Sequence, residues 1–129
     1  MKREWKGDND PVKNRRRYPR VTIKATAEIF CVDDNRRFEA FVGGISRGGL
    51  EIYARDPVKK GCRLQITMHF LDQNGKPSRE TVSGEVRWTA PFEKAHISGI
   101  EFEQVLDAKR NPTLAAYLAS AEAYFKSGS

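Results

Sequence analysis

Strict alternation from Val21 to Val32 limits this chain more than any other feature. Val21, Ile23, Ala25, Ala27 and Ile29 alternate with Thr22, Lys24, Thr26 and Glu28, the period of a strand with one buried face. Asp33-Asp34-Asn35 reads as a turn, after which Phe38, Ala40 and Val42 resume a strand with imperfect alternation. Leu50, Ile52 and Tyr53 begin a third strand that stops near Asp56-Pro57, and Arg63 to Leu71 makes a fourth, ended by the hairpin signal Asp72-Gln73-Asn74-Gly75. Ser78 to Thr89 and Ala95 to Phe102 read as the last two strands. Short strands with turn signals roughly every ten residues predict an all-β barrel or sandwich.

A helix comes after the strands. Asn111 suits an N-cap and Pro112 the first helical position, and Leu114, Tyr117, Leu118, Ala121 and Phe125 fall at helical spacing. A helix this short is marginal alone in water, so the stripe is expected to pack on the strands. At 129 residues the chain is long enough for one real core and too short for two.

Composition narrows the partners without choosing one. The net charge of +6 favours an anion: nucleotide, nucleic acid or acidic protein. No apolar run of about 18 residues exists, and Met1-Lys2-Arg3-Glu4-Trp5 lacks the apolar core of a signal peptide. The expectation is a cytoplasmic protein without a membrane role. Cys31 and Cys62 sit singly in strand-like runs with no C-x-x-C, a pattern that reads as two buried thiols in preference to a disulfide or metal site. His69 and His96 have no Cys, Asp or Glu at metal-ligand spacing, and no nucleophile has a plausible base beside it. Phosphate-binding loops of the ATP and NAD types are also absent from the sequence, so no enzyme and no cofactor is expected.

Two short runs remain, and they carry the chemistry. Arg16-Arg17-Tyr18-Pro19-Arg20 precedes the first strand, and Gly44-Ile45-Ser46-Arg47-Gly48-Gly49-Leu50 lies between the second and third. Pro19 pushes Tyr18 toward an extended conformation, so Arg16 and Arg20 are expected on one side of the segment, roughly 13 Å apart at strand rise. That span suits a dinucleotide better than a single phosphate. The arginine fork matches both phosphate and the O6/N7 edge of guanine.

On these residues the chain resembles the PilZ domain family, bacterial receptors of cyclic di-GMP with the signature R-x-x-x-R followed by [D/N]-x-S-x-x-G. Arg16 and Arg20 match the first motif, and Ser46 and Gly49 match the second, whose leading acid or amide position is Gly44 here. Gly84-Glu85-Val86-Arg87-Trp88 and Gly99-Ile100-Glu101-Phe102 look like the family's closing strands. The resemblance implies a six-stranded antiparallel barrel of the split-barrel type with the C-terminal helix packed on it. It divides the chain into a tail at 1–14, expected to be mobile without ligand, a barrel at 15–106 that includes a binding arm at 15–20, and a helical segment at 107–126.

The resemblance also implies roles. Arg16 and Arg20 would meet guanine edges and phosphates of cyclic di-GMP, Ser46 would bond a phosphate or nearby backbone, and Gly49, with Gly48 beside it, would supply the turn through positive φ. Arg15 and Arg17 add local charge, and Trp88 is either a stacking platform or a core indole. Ligand binding would order the arm and so alter the surface offered to a downstream protein. Gly44 offers only backbone where an acid or amide would accept from guanine, a loss of about 1 to 3 kcal/mol. Two other readings stay open: a degenerate member that binds proteins without ligand, and, ranked third, a nucleic-acid binder stacking bases on Tyr18, Phe30, Phe38, Tyr53 or Trp88.

Overall fold

The computed structural model describes residues 18–128, with side chains to residue 123. Six strands close into an antiparallel barrel in the order β1-β2-β3-β6-β5-β4. They are β1 (Val21–Cys31), β2 (Arg36–Ile45), β3 (Gly49–Ala54), β4 (Arg63–Leu71), β5 (Pro77–Phe92) and β6 (Ala95–Phe102). One helix among the described residues, α1 (Pro112–Gly128), comes after them. Closure comes from β1, which pairs with β2 on one side and with β4 on the other. A barrel leaves no open edge to template aggregation.

The alternation read from the sequence becomes the inside and outside of this barrel. Ile29, Ile66, Met68, Leu50, Ile52 and Val86 are fully buried in its core, each side chain contributing on the order of 1.5 to 3 kcal/mol on burial. The 72–75 hairpin forms as its residues dictate. Gly75 adopts φ +79°, and the Asp72 carboxylate accepts from the Asn74 and Lys76 amides at 2.8 and 2.9 Å. A second tight turn, at Glu93-Lys94 between the paired residues Phe92 and Ala95, carries Glu93 at φ 56°. It extends β5 beyond the expected end at Thr89.

The helix packs as expected but is capped differently. Leu114, Ala115 and Leu118 are buried, with Tyr117 and Ala121 against the core. The amides of Thr113 and Leu114 donate to the Glu80 carboxylate of β5, at 2.8 and 3.0 Å. Asn111 accepts the first helical bond through its carbonyl, from Ala115, while its side-chain amide donates to Thr81. The N-terminus is thus capped by the barrel and oriented by it. Just upstream, amide bonds from Arg110 and Lys109 hold the Asp107 carboxyl below the usual range.

The cysteines require a correction. Cys31 and Cys62 form a disulfide, not a pair of thiols. Residues 31 apart in sequence meet because Cys31 pairs with Leu64 across the β1–β4 ladder. That register is invisible in the spacing of the two cysteines alone.

Candidate functional site

The segment 46–49 is a turn built inward. The Ser46 amide donates to the Gly49 carbonyl at 2.8 Å, and the Ser46 Oγ accepts from the Gly48 amide at 3.2 Å and donates to the Gly49 carbonyl at 3.5 Å. Ser46 is completely buried, so its hydroxyl serves backbone, one of the two partners expected for it. The reason for Gly49 differs from expectation. Its φ is not positive. It is the first residue of β3, and a Cβ there would stand 2.2 Å from the Ile100 carbonyl oxygen, so glycine is required by close approach of β6.

The turn is also tied to the segment beyond the last strand. The amides of Phe102 and Leu106 donate to the carbonyls of Gly48 and Arg47, both at 2.9 Å. Arg47 makes a forked ion pair with Glu122 of α1, with Nε and Nη2 at 3.1 and 3.0 Å from the carboxylate oxygens. One short segment therefore fixes the end of β6 and a point on the helix.

The structure brings the described part of the arm onto this turn. The Tyr18 ring lies over Gly48, where a Cβ would come within 3.1 Å of it. The aliphatic stem of Arg20 lies over Gly44, with 3.6 Å to a Cβ position there. Both glycines are seats for arm side chains, and the Arg20 guanidinium then reaches across to hydrogen-bond Glu51 of β3. Arg15, Arg16 and Arg17, like the tail at 1–14, lie outside the described residues.

Trp88 occupies a half-buried position on β5. Its indole covers Gly99 of β6, where a Cβ would stand 2.1 Å from Nε1. Gly99 is paired in register with Trp88 on one side and with Glu51 on the other. The barrel therefore lines up Trp88, Gly99 and Glu51 in one cross-strand row that ends at Arg20. Tyr18 as an anchor of the arm, and Glu51 as the partner of Arg20, were not among the sequence-derived site residues. The signal for Glu51 is its outward place between Leu50 and Ile52, but its neighbours emerge only from register. Among the described residues no group of three or more His, Cys, Asp and Glu is placed to hold a metal ion, and no helix is long and apolar enough to cross a membrane.

The sequence resemblance is decided by a family model. The model of the PilZ domain matches residues 14–120. The chain belongs to the PilZ domain family. No curated protein matches it by sequence. Among solved structures, the PilZ barrel is similar to the Bacillus subtilis inhibitor of motility MotI/DgrA, with TM-score 0.66, 16% identity, and coverage of 85% of this chain and 52% of that one. It is similar to the PilZ domain of YcgR from Escherichia coli, solved with c-di-GMP, with TM-score 0.57, 16% identity, and coverage of 88% and 98%. The K. pneumonia MrkH–c-di-GMP complex gives TM-score 0.60, 16% identity, and coverage of 87% and 55%. This chain thus spans about half the length of MotI and of MrkH, and nearly the whole of the YcgR PilZ domain.

Proposed function

We propose that this PilZ chain is a non-enzymatic receptor for cyclic di-GMP, the ligand held by YcgR and MrkH in the structures it resembles. The observation that carries the proposal is the seating of Tyr18 and Arg20 on Gly48 and Gly44, which brings the described end of the arm to the segment of the second motif. Arg20 and Arg16 are the groups for phosphate and the guanine O6/N7 edge, with Arg15 and Arg17 as added charge. Ser46 and Gly49 shape the floor without touching ligand through their side chains. Trp88 offers its indole as the stacking surface.

Relay uses the same parts. Ligand gripped by the arm replaces contacts that Tyr18 and Arg20 make with the barrel and alters the surface beside the turn, and a downstream protein reads that surface. By analogy with MotI, the process served is bacterial motility or a related surface behaviour. The protein acts in the cytoplasm, where a nucleotide messenger is met, and needs no cofactor, membrane or nucleic acid.

The test is calorimetric titration of cyclic di-GMP at physiological salt, with GMP and the Arg16→Ala/Arg20→Ala variant as controls. Micromolar or tighter binding, absent for GMP and lost in the variant, is the expected result. A second reading, a PilZ barrel that binds proteins without ligand, is favoured by Gly44, and it predicts no heat and no effect of the double variant. Binding of oligonucleotides with a steep salt dependence would instead identify a nucleic-acid binder.

A further inference from the structure

The second motif lacks its acid at Gly44, yet a carboxylate stands beside Arg20 all the same. In the β2–β3 ladder Val42 pairs with Ile52 and Ile45 with Leu50, so Gly43 and Gly44 together oppose the single residue Glu51. This bulge has a simple consequence. Leu50 and Ile52 are buried in the core, so Glu51 projects from the outer face. Arg20, its stem resting over Gly44, makes an ion pair with Glu51 at 2.5 Å, and the two side chains are 40% and 16% exposed.

On the other side of Glu51 the register partner is Gly99, which carries the Trp88 indole in place of a side chain. A guanidinium, a carboxylate and an indole therefore succeed one another along the outer surface. Their chemistry is complementary to one base. Guanine presents O6 and N7 as acceptors and N1–H and the 2-amino group as donors. The guanidinium donates to the first pair and a carboxylate accepts from the second. Adenine, with an acceptor at N1 and a donor at N6, would set its ring lone pair against the carboxylate.

Resting on the cyclic di-GMP reading above, we infer that Glu51 selects guanine, supplying from β3 the acceptor that position 44 does not. Glu51 also orients Arg20 before ligand arrives, so recognition of the two guanine edges is arranged by one ion pair. The acid stands on the neighbouring strand, and Gly44 leaves room for the Arg20 stem that reaches it.

The experiment compares cyclic di-GMP with cyclic di-IMP, its inosine analogue, which lacks only the 2-amino groups. Each is titrated into the wild type, Glu51→Gln, Glu51→Ala and Glu51→Ala/Gly44→Asp, with melting curves confirming that each variant is folded. The wild type is expected to prefer cyclic di-GMP by about tenfold or more, the worth of a charge-assisted hydrogen bond. Glu51→Ala should lower affinity for cyclic di-GMP at least about tenfold and bring the ratio near one, with Glu51→Gln in between. The Gly44→Asp change, whose Cβ would stand at an ordinary van der Waals distance of 3.6 Å from the Arg20 stem, should restore the preference. A wild-type ratio retained in both single variants, or tighter cyclic di-GMP binding in either, would overturn the assignment of Glu51 and leave the receptor reading standing. Absence of binding by the wild type itself would overturn the receptor reading and this inference with it.

Discussion

The two halves of the candidate site are held in opposite ways. The turn at 46–49 is fixed by buried contacts: Ser46 is enclosed, Gly49 abuts the β6 backbone, and the Gly48 and Arg47 carbonyls take bonds from residues 102 and 106. The arm is laid on from outside, with Tyr18 and Arg20 resting on glycines and the guanidinium held by a carboxylate at the surface. Stability and function are separated by this contrast. The turn belongs to the fold, and the arm contacts can exchange for a ligand at small cost to the fold.

Substitutions probe the division directly. Gly49→Ala should have the largest effect, because the new Cβ meets a strand carbonyl that cannot move aside; a loss of about 3 kcal/mol in chemical denaturation is expected. Ser46→Ala strands the half-buried Gly48 amide, and the same measurement should register about 1 to 2 kcal/mol. For Glu122→Ala, which removes the partner of Arg47, about 1 kcal/mol is expected, together with faster hydrogen exchange in the second half of α1. Arg20→Ala should change stability by no more than about 1 kcal/mol, since the guanidinium is 40% exposed although Glu51 is only 16% exposed, while weakening cyclic di-GMP binding at least about tenfold. If Arg20→Ala proved as damaging to the fold as Ser46→Ala, the two halves would not be distinct.

Much of this molecule was legible because its signals are local. The alternation in β1, the 72–75 turn, and the Asn111-Pro112 start of α1 each depend on residues adjacent in sequence. The motif pair, through its family resemblance, also supplied the barrel closure that periodicity left open between barrel and sandwich. What stayed hidden depends on register between distant strands. Glu51 meets Arg20 because two glycines oppose one residue across β2 and β3, and Trp88 lies over Gly99 because β5 and β6 align there. Glu80 caps a helix more than 30 residues away, and the disulfide closes across the β1–β4 ladder. Gly49 was expected to need positive φ, whereas crowding against the β6 backbone and not backbone handedness excludes other residues there.

Ligand is proposed to meet the barrel where the arm crosses the turn, and a two-dimensional amide NMR titration of the labelled protein with cyclic di-GMP decides whether it does. Saturable shifts are expected to concentrate at Arg20, Gly44, Gly48 and Glu51 and at the Trp88 indole, with the 72–75 hairpin unmoved. A spectrum unchanged at saturating ligand, or shifts centred on another face of the barrel, would contradict that placement.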